Sequence, residues 1–118
     1  MTNLFIYGTL QEPQIQEYLF GRIIEMIPAK LKYHRIKNAI SDGIELPYKT
    51  IVPAPNDSSA VVDGYIIVLN DAQMERVDAY EGYPTLYLRT NVIVQDSDNI
   101  TQRCISYINT PYFFNQNK

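Results

Sequence analysis

The chain has 118 residues, 46% hydrophobic and 19% charged, with ten Tyr, four Phe, no Trp, one His and one Cys. At this length one domain with its own core is expected, burying roughly two thirds of its unfolded surface without metal or disulfide staples. Ten Lys and Arg against thirteen Asp and Glu leave a net charge of −3, which speaks against a nucleic-acid partner, and the lone Cys104 excludes an internal disulfide framework.

The first residues, MTNLFIYGTL, carry no basic leader and too short an apolar run for a signal peptide or a membrane span. With the single cysteine, this predicts a cytoplasmic protein that spans no membrane. Asn3 to Tyr7 is apolar and aromatic, reads as a buried strand, and stops at Gly8. Gln11 to Phe20 has Ile15, Tyr18 and Leu19 at helical spacing, Pro13 in the first turn and Gly21 at the end.

Ile23 to Ile40 mixes β-branched and basic residues and predicts one or two strands broken near Pro28. Ser41 to Ser59 holds Pro47, Pro53, Pro55 and the turn-forming Asp42-Gly43 and Asn56-Asp57-Ser58. It is expected to be irregular, with at most a short strand around Tyr48 to Val52. Val61 to Leu69 is the strongest strand in the chain.

Asn70 or Asp71 then caps a helix to about Tyr80, with Met74 and Val77 inward and Gly82 near its C-terminal cap. Tyr87 to Gln95 alternates, with Leu88, Thr90, Val92 and Val94 on one face, and turns at Asp96 to Asn99 into a strand over Arg103 to Ile108. Residues 1–114 are expected to form the domain and 115–118 a polar tail. The order β-α-β-β-β-α-β-β has too few helices for a doubly wound parallel sheet. It predicts an α+β fold with two main helices on a mixed, mostly antiparallel sheet curled towards a barrel.

His34 has no second imidazole beside it, and no H-x-x-x-H or C-x-x-C spacing marks a metal site. Cys104 falls in an alternating strand, where a buried small hydrophobe is expected. Neither G-x-S-x-G nor a second histidine supports a Ser-His-Asp triad. Chemistry here must rest on carboxylates, backbone dipoles and tyrosines.

Two segments stand out. Tyr7-Gly8-Thr9-Leu10 runs from a strand into a glycine-bearing loop, where successive N–H groups can converge on an anion; a plain strand-to-helix turn has the same residues. Asp78-Ala79-Tyr80-Glu81-Gly82 places two acids in the last turn of a helix, against the macrodipole by a few tenths of a kcal/mol each. Exposed acids at helix ends are also common, and both readings stand on the residues alone.

Taken together, Leu4-Phe5-Ile6-Tyr7-Gly8-Thr9-Leu10, the strand glycine of Asp63-Gly64-Tyr65 and the block Asp78 to Thr90 resemble the gamma-glutamylcyclotransferase-like (AIG2-like) family. The run Glu81-Gly82-Tyr83-Pro84-Thr85-Leu86-Tyr87-Leu88-Arg89-Thr90 is most similar to its gamma-glutamylamine cyclotransferase branch. The resemblance implies a substrate loop at Tyr7, Gly8, Thr9 and Leu10 and a catalytic glutamate at Glu81. It implies positioning or structural roles for Tyr87 and Arg89, and makes Tyr112 the candidate for a tyrosine that closes the pocket. One departure is that many members have a Tyr-Pro pair mid-chain where this chain has Pro47-Tyr48.

The implied reaction is cyclisation of a gamma-glutamyl group to 5-oxoproline with release of an amine or amino acid. It needs no cofactor and no metal, and its partner is a small gamma-glutamyl molecule; a monomer or a homodimer is expected. Glu81 would serve as general acid and base, its pKa raised by the helix C-terminus and by Asp78. A non-catalytic binding module on the same fold is the alternative.

Overall fold

The computed structural model describes residues 1–115. Its elements in chain order are β1 (Thr2–Ile6), a 3-10 turn (Thr9–Gln11), α1 (Pro13–Phe20), β2 (Ile27–Lys32), β3 (His34–Ser41), β4 (Ile44–Pro53), β5 (Val61–Leu69), α2 (Asp71–Glu81), β6 (Tyr87–Asp96), β7 (Thr101–Asn109) and α3 (Thr110–Asn115). Five strands close a barrel in the order β1-β5-β2-β6-β7, and β3-β4 forms a separate two-stranded sheet. The barrel pairings are antiparallel except where β1 meets β7, in parallel, at Leu4 and Ile105. The α+β, mostly antiparallel barrel expected from the sequence is the fold observed.

Strand alternation divides the core in two. Phe5, Ala29, Leu31, Val62, Ile66, Val92, Val94, Cys104 and Ile108 pack together with Ile51 of β4 and fill the barrel interior, with Phe113 of α3 against them. The opposite faces of the same strands, through Leu4, Ile6, Ile67, Leu69 and Tyr107, pack against Leu19 and Phe20 of α1 and Met74 and Val77 of α2. A barrel covered on its outer face by helices therefore buries both sides of its strands, which is why β1 and β5 read as near-continuous apolar runs.

Gly64 explains how β1 and β5 come so close. A Cβ there would lie 2.2 Å from the carbonyl oxygen of Ile6 and 2.7 Å from the Phe5 ring, so the strand can hold only glycine at this point. Asn70 caps α2 with a full capping box shared with Gln73. Gly82, at φ 71°, ends the helix: its N–H donates to the Ala79 carbonyl and that of Tyr83 to the Asp78 carbonyl, the paired bonds of a Schellman cap.

The middle of the chain departs from expectation. Residues 54–59 are irregular as expected, but 41–53 are not: β3 and β4 form a hairpin whose turn is Asp42-Gly43, both at positive φ (52° and 76°), the geometry that matches the twist of paired strands. Pro47 and Pro53 are tolerated because this sheet has only two strands, so each has an open edge. Nor does the break fall at Pro28, which sits within β2 opposite Tyr65. The chain turns instead at Tyr33, at φ 60°, whose N–H donates to Ala60 and whose carbonyl accepts from Ala54.

Four strands thus separate α1 from α2 rather than three, and a short third helix follows β7. Of the tail expected at 115–118, Asn115 ends α3 and residues 116–118 lie outside the described part. Among the described residues no helix is long and apolar enough to cross a membrane.

Two buried polar residues dock the hairpin on the barrel. Asn109, at the end of β7, accepts from the Ile40 N–H (2.8 Å) and donates to the carbonyls of Ile40 (3.2 Å) and Leu86 (2.9 Å). Its own backbone N–H donates to the Thr50 hydroxyl at 2.9 Å. Both side chains are 0% exposed, so these bonds form out of water's reach, where leaving them unmade would be costly.

Candidate active site

A cavity of about 620 Å³ opens between the segment after β1, the last turn of α2 and β4 of the docked hairpin. Tyr7, Gly8, Thr9 and Leu10 line one side, Glu81 and Tyr80 another, Pro47, Tyr48 and Lys49 a third, with Tyr87 and Tyr107 from β6 and β7. The loop, the glutamate and Tyr87 singled out in the sequence are therefore brought together in space. Arg89 and Tyr112 are not among the lining residues. Tyr112 lies half-buried on α3, against the barrel-interior cluster.

The loop is anchored at both ends. The Tyr7 phenol donates to the Tyr107 carbonyl at 2.6 Å. Leu10 is buried in the outer core, and its carbonyl accepts from the amide of the fully buried Gln16 at 2.8 Å. Between them the 3-10 turn bonds Gln11 N–H to Gly8 and Glu12 N–H to Thr9. The first N–H groups of any helical turn lack a partner, and among the described residues nothing accepts from those of Gly8, Thr9 and Leu10. Gly8 adds open space, since a Cβ there would meet no atom within 4 Å. Donors left open in this way are chemically able to accept a carboxylate or an oxyanion as partner.

Glu81 is the last residue of α2 and lies at the cavity wall. Among the described residues its carboxylate accepts no hydrogen bond, and burial pushes its pKa from 4.5 up to about 7. Its charge in turn raises the phenols of Tyr7 and Tyr87, beyond what their own burial does, so neither phenol ionises near neutrality. The Tyr87 hydroxyl donates to the Lys49 carbonyl at 2.7 Å, and the Tyr80 and Thr9 hydroxyls meet at 2.5 Å, joining the last turn of α2 to the loop.

The cause of the Glu81 shift differs from the expectation. Asp78 does not contribute, because its charge is already matched. Arg89 holds it bidentately, Nε to Oδ1 at 3.0 Å and Nη2 to Oδ2 at 2.7 Å, and the Tyr107 hydroxyl donates to Oδ1 at 2.5 Å. Desolvation alone disfavours the Glu81 carboxylate. Arg89, with its guanidinium 5.5 Å from the Tyr83 ring centroid, acts on the helix end and not on the cavity.

His34 and Cys104 stay outside this geometry. His34 Nδ1 lies 2.9 Å from the Lys32 carbonyl, and neither residue lines the cavity. Cys104 is buried in the barrel, which pushes its thiol up to about 11. A carboxyl whose pKa burial lifts to about 7, in a cavity it shares with phenols and a glycine-bearing loop, has the chemistry to take a proton from one atom of a bound molecule and return it to another.

Pro47-Tyr48, which the family resemblance ties to the pocket wall, does line the cavity, whereas the local sequence places neither Lys49 nor Tyr107 at a site. Asp42-Gly43 between two β-rich stretches was the available signal for the hairpin. Nothing local marks Tyr107.

A family model described as gamma-glutamyl cyclotransferase, AIG2-like, matches residues 4–117. Protein AIG2 C of Arabidopsis thaliana is 34% identical over 99 residues, covering 82% of this chain and 54% of the relative. AIG2-like protein B of the same plant is 34% identical over 101 residues, covering 82% and 52%. The chain thus spans about half the length of the curated relatives it matches. Among solved structures, one of an Arabidopsis thaliana protein superposes with a TM-score of 0.76 at 26% identity, over 94% of this chain and 63% of that one. A structure named gamma-glutamyl cyclotransferase superposes with a TM-score of 0.76 at 19% identity, over 91% and 65%, a likeness of fold.

Proposed function

The chain belongs to the gamma-glutamyl cyclotransferase, AIG2-like family, and on that premise we propose that it cyclises a gamma-glutamyl group to 5-oxoproline, releasing an amine or amino acid. The observation that carries this reading is the Glu81 carboxyl at the cavity wall, pushed up to about 7 by burial, in one cavity with a loop whose three N–H groups, like that carboxyl, have no partner among the described residues.

The substrate contains both reacting groups. Its α-amino nitrogen attacks the γ-carbonyl carbon; a C–N bond forms, the γ-amide C–N bond breaks, and the five-membered lactam closes. Because nucleophile and electrophile share one molecule, holding it folded supplies much of the rate. The N–H groups of Gly8, Thr9 and Leu10 suit the substrate's α-carboxylate or the oxyanion that develops on the γ-carbonyl oxygen. Glu81 as carboxylate accepts the proton shed by the attacking amine, then as carboxylic acid returns it to the leaving nitrogen. The two roles need a group that is neither fully ionised nor fully protonated at working pH, which a value of about 7 provides. The phenols of Tyr7 and Tyr87 keep their protons and shape the wall beside it.

Incubation with a panel of gamma-glutamyl dipeptides and gamma-glutamylamines, following 5-oxoproline, tests the reading. Release by the chain, lost at least a hundredfold in a folded Glu81→Gln variant, supports it. Binding of panel members with no release by the unaltered chain identifies a non-catalytic module instead, and full activity of Glu81→Gln removes the glutamate from its role.

A further inference from the structure

One half-buried charge stands outside the proposed chemistry. Asp78 lies three residues before Glu81 on α2, so the two side chains leave the same side of the helix one turn apart. An acid there opposes the macrodipole, so helix stability does not account for it. Its bonds do: two to Arg89 of β6 and one to Tyr107 of β7.

Tyr107 is itself shared. Its hydroxyl donates to Asp78 while its backbone carbonyl accepts from the Tyr7 phenol, at the start of the loop, and its side chain is buried in the outer core. A continuous set of hydrogen bonds therefore runs from Arg89 through Asp78 and Tyr107 to Tyr7. It joins the last turn of α2, which carries Glu81, to the loop with the unpaired N–H groups. Glu81 has no hydrogen bond of its own among the described residues, so its place relative to the loop is only as definite as the turn that bears it. A shuttle that must reach two nitrogens of one substrate tolerates little misplacement.

We infer that Asp78 is a positioning residue for the reaction: clamped by Arg89 and Tyr107, it sets the last turn of α2 against the Tyr7–Leu10 loop. The inference rests on Glu81 being the proton shuttle. Burial and Asp78 both raise the Tyr107 phenol, so it remains a donor throughout the neutral range. Arg89 cancels the Asp78 charge, so the clamp holds the turn without adding a net charge beside Glu81.

The test compares kcat and KM of Asp78→Asn, Tyr107→Phe and the double variant, on the best substrate of the panel, well below their melting temperatures. Each single variant is expected to lose kcat roughly tenfold with KM kept within about twofold, since the loss is of registry and not of binding contacts. The double variant is expected to fall no further than the worse single one, because both cut the same connection. Arg89→Lys is expected to sit between, an ammonium being unable to grip a carboxylate bidentately. Should Asp78→Asn not fold, Tyr107→Phe, which removes one oxygen, decides alone.

Lowered melting temperatures with kcat unchanged in Tyr107→Phe overturn the inference, as does a rise in KM alone. An active chain that Glu81→Gln silences, but that Tyr107→Phe leaves at full kcat, overturns it while the proposed function stands. A chain that releases no 5-oxoproline from any panel member overturns both.

Discussion

The Tyr87 hydroxyl donates to the Lys49 carbonyl at 2.7 Å, tying the first residue of β6 to the hairpin strand that walls the cavity. Tyr87 follows Glu81 by six residues, so one short stretch of chain carries both the proposed proton shuttle and the bond that holds the opposite wall. Replacing Tyr87 by Phe keeps the buried ring and removes this bond. The cost expected from urea unfolding is about 1 kcal/mol, that of one hydrogen bond. In steady-state kinetics KM should rise more than kcat falls, because the group lost supports the wall and does not move protons.

Asn109 should matter to stability through the hairpin that it docks on the barrel. Asn109→Ala removes the side-chain partner of the half-buried Ile40 N–H and carbonyl, and leaves the Leu86 carbonyl with the Thr110 N–H alone. A loss of about 2–4 kcal/mol is expected. Urea unfolding reads it, and hydrogen exchange should show β3 and β4 losing protection before the barrel strands.

Glu81 makes stability depend on pH in a definite direction. Its pKa is raised on folding, so between 4.5 and about 7 the folded protein binds a proton that the unfolded chain has released. Stability is therefore expected to fall as pH rises through that window, by on the order of 2–3 kcal/mol from this group. Unfolding of Glu81→Gln across pH 5 to 8 should lack that component and leave the variant more stable than the unaltered chain at pH 8. In the active chain, kcat/KM should rise with pH through about 7 as the Glu81 carboxylate forms, an acid limb that Glu81→Gln should lack.

Gly64 allows no side chain. A Cβ placed 2.2 Å from the Ile6 carbonyl oxygen pushes β1 away from β5 at the point where the chain enters the Tyr7–Leu10 loop. Gly64→Ala is expected to cost about 1–3 kcal/mol or more in thermal or urea unfolding. Activity per folded molecule should fall as well, since the loop starts one residue beyond the displaced strand end.

Much of this molecule is legible in its local sequence. The alternation of β6 and β7, the apolar run of β5 and the capped, glycine-ended α2 follow from rules that operate within about ten residues. The hairpin β3-β4 was harder to read, since prolines signal irregular chain unless the strand has an open edge, and edges belong to the whole sheet. The same limit hid Tyr107 and Asn109, whose partners lie 23 to 100 residues away.

The sequence by itself determined the two main helices, the α+β barrel class and the family, the last through the loop Tyr7 to Leu10 and the block around Glu81. It also excluded thiol and imidazole chemistry from the outset, and both Cys104 and His34 lie away from the cavity. Only the tertiary structure decided what Asp78 does. By sequence it is a second acid that should push Glu81 upward; in the fold Arg89 and Tyr107 claim it, and desolvation does the pushing. The physical reason is that a charge acts through its partners and its exposure to water, and both are set by strands that meet only when the barrel closes.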